Sequence, residues 1–233
     1  MEPKKELAII RYALIALLVA STGGLVIWGF FVNTTSSTKT GYNAPNWVEV
    51  ESGFGKIRLY ESDQTAKDFS SIGNDLTYVD NVLGFEISRP NLKWNFDTNI
   101  DDVLGSAAIS NKKFVGGLYL SKNNEKTFFV GVFDITQYDK FNLADYVKTQ
   151  INTMTDSRDT KIIVNKVSPT NNWSIFGAKI TLENKTSIYG EQILEIHNDK
   201  LYMLQYVGMP PDLVDIQTKE DIRKIIDSFK PFN

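Results

Sequence analysis

Hydrophobic and polar positions divide the chain into unlike stretches. From Ala13 to Val32 runs an apolar segment that carries no charged residue. At a helical rise of about 1.5 Å per residue, a run of about 20 such residues spans a bilayer core about 30 Å thick, so a transmembrane helix is expected over 13–32. Residues 33–46 are short of apolar side chains and rich in Ser, Thr, Gly and Asn, which predicts a flexible tether. In the segment 47–75, Val48, Val50, Ile57 and Leu59 alternate with polar residues around Gly53-Phe54-Gly55, the pattern of a hairpin.

The main domain is expected over 76–233. Thr77–Asp80 and Phe85–Ser88 read as short strands, and Pro90 ends the second because proline donates nothing to a ladder. Lys113–Leu120 and Thr127–Ile135 read as strands joined at Lys122-Asn123-Asn124-Glu125. Leu143, Val147, Ile151 and Met154 recur at helical spacing and predict a helix over Leu143–Met154 with Asn142 as its N-cap. Four strands are expected next: Lys161–Val167, Trp173–Glu183, Ser187–His197 and Lys200–Val207, the last two meeting at Asn198-Asp199. Alternation in Ile188–His197 and Leu201–Tyr206 predicts one wet face and one buried face. A closing helix capped by Thr218 should bury Ile222, Ile225, Ile226 and Phe229. Strands interrupted by two helices give an α+β class with a largely antiparallel sheet.

Charge sets the orientation of the apolar segment. Lys4, Lys5 and Arg11 precede it, and no basic residue follows until Lys39. The positive-inside rule then puts residues 1–12 in the cytoplasm and the domain outside, at the cell membrane. A cleaved signal peptide needs small residues at its end, whereas this run closes on Phe30-Phe31-Val32, so an uncleaved anchor is expected. The net charge of −3 offers no basic footprint for nucleic acid. With no cysteine, the domain has neither disulfides nor thiolate metal sites and relies on its hydrophobic core.

In order along the chain stand Gly84-Phe85-Glu86-Ile87-Ser88-Arg89-Pro90, then Trp94. Later come the strand Tyr202-Met203-Leu204-Gln205-Tyr206 and a helix ending Ile226-Asp227-Ser228-Phe229. This set resembles the PsbP-like family, named for an extrinsic subunit of the photosynthetic oxygen-evolving complex, with relatives as anchored or secreted domains in bacteria and archaea. The resemblance covers about Thr77 to Phe232. It implies an antiparallel sheet flanked by helices, and a docking role on a membrane complex.

Candidate chemistry is sparse. His197 is the one histidine, at a strand end, and reads as a surface or turn residue rather than a general base. Asp97, Asn99 and Asp101 match the opening of a calcium-binding EF-hand loop. Asp102 stands where that loop needs glycine and Ala108 where it needs glutamate, so a polar loop capping a short helix over 101–108 is the plainer expectation. Asn33, Asn172 and Asn184 have the glycosylation pattern N-x-[ST]. Gly23 and Gly24 would let the membrane helix pack on another, and Gly116-Gly117 marks a strand bulge or a crowded contact. No arrangement points to an enzyme, and no cofactor beyond the calcium candidate is expected. The expected role is a membrane-anchored extracytoplasmic binding module, an accessory or stabilising subunit on a membrane protein complex. The alternative is a cell-surface domain that binds a ligand or ion.

Overall fold

The computed structural model describes residues 47–60, 76–100, 114–123, 125–138, 141–155, 159–182 and 185–232. The expected transmembrane helix, tether and short helix over 101–108 lie outside the described residues.

The hairpin is present: β1 (Trp47–Ser52) and β2 (Gly55–Tyr60) pair from Trp47↔Tyr60 to Ser52↔Gly55. Gly55 sits at φ 105°, a conformation open to glycine and strained for other residues. A three-stranded sheet orders β12 (Lys230–Pro231), β4 (Phe85–Ser88) and β3 (Thr77–Asp80). The large sheet has seven strands in the order β5-β6-β7-β11-β10-β9-β8, all antiparallel. They are β5 (Trp94–Asp97), β6 (Phe114–Lys122), β7 (Glu125–Asp134), β8 (Thr160–Val167), β9 (Trp173–Thr181), β10 (Ser187–His197) and β11 (Lys200–Gly208). The register shift between Phe114 and Gly116 is the irregularity that Gly116-Gly117 led us to expect. Edge strand β8 carries its own shift between Ile162 and Val164, together with Lys161 and Lys166, features that discourage pairing with another chain.

Helix α1 (Leu143–Thr155) begins as expected, with the Asn142 carboxamide oxygen accepting from the Ala144 and Asp145 amides at 2.9 and 3.3 Å. Helix α2 (Ile216–Ser228) differs from expectation at its start. Its N-cap is Asp215, whose carboxylate accepts from the Thr218 amide and hydroxyl at 2.9 and 2.7 Å. Thr218 is therefore the capped donor, because a carboxylate there also complements the helix dipole.

The expectation of a wet face on β10 and β11 is also corrected. Nearly every residue of both strands is buried, because the central strands are covered on both sides. Leu194, Leu201, Met203 and Phe129 pack toward α1. Ile193, Tyr202, Leu204 and Phe128 pack toward α2, β4 and the hairpin. Two cores thus share one sheet. The hairpin supplies Val50, Phe54, Ile57 and Leu59 to the second of them, so residues 47–60 belong to the folded unit.

Candidate functional site

Acidic side chains sit inside the second core, each drawing distant elements together. Asp221 is the larger junction. It lies at the spacing of the apolar face of α2 and is 1% exposed. Its carboxylate accepts from Trp94 Nε1 and Gln217 Nε2, each at 3.0 Å, and from Asn91 Nδ2 and Lys122 Nζ, each at 3.4 Å. Lys122 also donates to the Thr218 hydroxyl and stands over the Trp94 ring, 5.7 Å from its centroid. Burial pushes the Asp221 carboxyl up, but the bonds from Trp94, Gln217 and Lys122 outweigh it and hold the group below the usual carboxylate range.

This junction fixes the loop 89–93 and the end of β6 against the first turns of α2. Exposed apolar side chains stand on loop 89–93 and on the segment 209–216 that leads into α2, among the exposed charged residues Lys93, Asp212 and Asp215. Leu92 is 69% exposed, Met209 57%, Leu213 64% and Ile216 77%. Pro210 is buried and the following turn is closed by the Leu213 amide on the Pro210 carbonyl at 2.9 Å. Large apolar side chains are thus held out into solvent on segments next to the Asp221 junction.

Glu191 on β10 is a second acidic centre. The Tyr189 hydroxyl and the Gly53 amide each donate to its Oε2 at 2.6 Å. Phe54, at the hairpin tip, packs edge-on against Tyr206 and Tyr189, with centroids 4.8 and 5.8 Å away. A Cβ at Gly53 or Gly177 would overlap the Tyr189 hydroxyl, so both positions need glycine for close approach. Burial raises the Glu191 carboxyl above its ordinary value, against the pull of bonds from Tyr189, the Gly53 amide and Ser52. An acid whose folded pKa is raised stabilises the fold most when protonated, and that stability is lost as pH rises through the raised value. The melting temperature should therefore fall as pH rises from roughly 4, the ordinary carboxyl range. Glu191→Gln keeps an acceptor for Gly53 and Tyr189 and removes the titration, so it should flatten that fall. A melting series over pH in which the variant tracks the wild type would show that Glu191 is not the group responsible.

The residues singled out in the sequence fall elsewhere. His197 closes β10 opposite Lys200 and is 5% exposed. It is not a surface histidine: it shares the side of β10 that faces the second core, together with Glu195. Asp97 Oδ1 accepts from the Asn99 amide at 2.9 Å, a turn closed by its own backbone, and Asp101 lies outside the described residues. Among the described residues no group of His, Cys, Asp and Glu comes together in the number a metal ion needs. Asn172 is half-buried, and its carbonyl accepts from the Ile196 amide at 2.8 Å. Asn33, Asn184, Gly23 and Gly24 lie outside the described residues. Asp221 escaped the sequence reading, although an acid at the helical spacing of Ile222, Ile225 and Ile226 was its signal. Trp94 and Trp173 are buried as core residues, while Trp47 stays partly exposed under the Arg58 guanidinium, 4.9 Å from its ring.

No known family pattern matches the chain, and no curated protein sequence does. Among solved structures it is similar to the cyanobacterial PsbP, CyanoP, from Synechocystis sp. PCC 6803. The identity is 13% and the TM-score 0.45, over 72% of this chain and 99% of that one. It is also similar to a protein from Bacteroides thetaiotaomicron at 12% identity and TM-score 0.40, over 68% of this chain and 48% of that one. A third, PA94 from Pseudomonas aeruginosa, is similar at 10% identity and TM-score 0.37, over 81% of this chain and 99% of that one. The first bears the name of the family that the sequence motifs resemble. The α+β class itself rests on the antiparallel sheets and two helices described above.

Proposed function

We propose that this chain is a membrane-anchored extracytoplasmic module that docks as an accessory subunit on a membrane protein. The carrying observation is the exposed apolar set Leu92, Met209, Leu213 and Ile216, braced by the Asp221 junction. A soluble domain left alone gains nothing from rigidly presented large apolar side chains. Asp212 and Asp215 are exposed between them. Acidic groups at that place disfavour an anionic lipid surface and favour a protein partner. The uncharged run from Ala13 to Val32 supports placing the domain at a bilayer, where tethering raises its local concentration so that a modest interface suffices. By this reading the module carries no catalytic centre.

A photo-activated cross-linker placed at Ile216 in intact membranes tests the site. An adduct with an integral membrane protein is expected from Ile216 and not from Ile163 on β8, which is also exposed but away from this surface. Leu213→Asp should reduce that adduct roughly tenfold or more, the effect of losing a central apolar contact, without lowering the melting temperature. Adducts to lipid alone, or equal adducts from both positions, would overturn the reading.

A further inference from the structure

The chain that follows the apolar run enters the folded unit at Trp47, the first residue of β1. Residues 33–46 are all that separate the two, and at about 3.5 Å per residue they span no more than about 50 Å. On the membrane-anchored reading above, on which this inference rests, the base of the hairpin is thus the point from which the domain is tethered. A contact made there forms at the high local concentration that a tether supplies, so a small one suffices.

One face of the hairpin is used by the second core, through Val50, Ile57 and Leu59. The other face is exposed and carries Trp47, Glu49 and Glu51 on β1 with Lys56 and Arg58 on β2. Trp47 is the exception in that charged row, a large ring left 40% exposed. The Arg58 guanidinium lies over it, 4.9 Å from the ring. Register places Glu49 opposite Arg58, yet the Glu49 carboxylate pairs with Lys56, at 3.9 Å. Asp227 accepts from the Arg58 backbone amide at 2.8 Å. Among the described residues no carboxylate forms an ion pair with the Arg58 side chain.

A guanidinium stacked on an indole keeps its N–H edge free, and that edge fits two oxygens of a phosphate at once. Tryptophan in turn favours the headgroup level of a bilayer, where its ring meets apolar chains and its N–H meets water. We propose that the Trp47–Arg58 pair docks on the phosphate headgroups of the chain's own membrane. Arg58 binds the phosphate and Trp47 enters the boundary below it. The contact also orients the domain. Asp227, bonded to Arg58, lies in the last turn of α2, whereas Ile216 begins that helix, 13 residues or about 20 Å away. The apolar set at the start of α2, with Asp212 and Asp215, is then carried away from lipid and toward the extracytoplasmic part of a partner.

The chain has no cysteine, so a single introduced one carries a fluorophore at a chosen place. Full-length protein is reconstituted in vesicles of phosphatidylglycerol and phosphatidylcholine that contain a lipid with a nitroxide on its headgroup. The label on Glu49→Cys should be quenched several-fold more strongly than the label on Ile216→Cys. Arg58→Gln or Trp47→Ala, each added to Glu49→Cys, should remove most of that difference and leave the melting temperature unchanged. Equal quenching at the two positions, or no effect of either substitution, would overturn the proposal. So would a Glu49→Cys label shielded from aqueous iodide but untouched by the nitroxide, which assigns the face to a protein or a second copy. A chain that does not float with the vesicles overturns the anchored reading itself. One that floats with its label unquenched overturns the headgroup contact alone.

Discussion

A chain beginning at Leu76 is expected to lose cooperative unfolding, while one beginning at Trp47 melts as a single unit. The hairpin buries Val50, Phe54, Ile57 and Leu59 against Tyr189, Tyr206 and α2. Burying each such side chain stabilises by about 1.5–3 kcal/mol, so the set contributes roughly 6–12 kcal/mol. That equals most or all of the stability of an ordinary domain. Removal of the hairpin also takes the Gly53 amide from buried Glu191 and the Arg58 amide from Asp227, bonds of 2.6 and 2.8 Å. Circular dichroism melting of the two chains makes the comparison. A sharp transition for the shorter chain, within a few degrees of the longer, would show the hairpin to be an accessory rather than part of the core.

Asp221→Ala is expected to be the most damaging single substitution considered. It leaves the Trp94 indole N–H buried without an acceptor and strips Lys122, with 23% of its side chain exposed, of its counter-charge. Breaking a buried, hydrogen-bonded charge pair from one side costs about 3–5 kcal/mol. For a domain of this size that lowers the melting temperature by roughly 10 °C. Asp221→Asn should lose less, since its carbonyl oxygen still accepts from the indole. The same junction predicts a pH effect opposite in sign to that of Glu191. The Asp221 carboxyl is held below its ordinary value, so its contribution is complete above roughly pH 4 and is lost as pH falls through the lowered pKa. Urea unfolding at neutral pH measures the first effect, and a loss below about 1 kcal/mol would remove Asp221 from its place as a junction. Lys122→Met separates the charge from the bonds: it should remove part of the acid sensitivity while sparing the Trp94 contact.

These two results bear on the docking surface as well. Asn91 and Gln217, the chain neighbours of Leu92 and Ile216, are both bonded to Asp221. Asp221→Asn should therefore weaken the Ile216 adduct more than its small stability change accounts for.

Much of the local structure could be read from the chain because its causes are local. Asn142 caps α1 through the amides that follow it, and Asn198 with φ 53° turns β10 into β11. The strands Thr77–Asp80, Phe85–Ser88 and Ser187–His197 appear with the bounds that their turns and periodicity imply. The hairpin around Gly53-Phe54 was legible for the same reason. What the hairpin packs against was not, since period-2 alternation says which residues share a face and says nothing of what covers it. Only the tertiary structure decided that β10 and β11 are buried on both faces, because cover comes from α1 on one side and from α2, β4 and β1-β2 on the other. The site residues follow the same division. Asp221 becomes a junction through Trp94 and Lys122, 127 and 99 positions away, and Glu191 gains its role from Gly53, 138 positions away. A polar residue in an apolar stretch reads from sequence as a defect or a surface position. It becomes a bonded centre only when the chain brings its neighbours within hydrogen-bond reach.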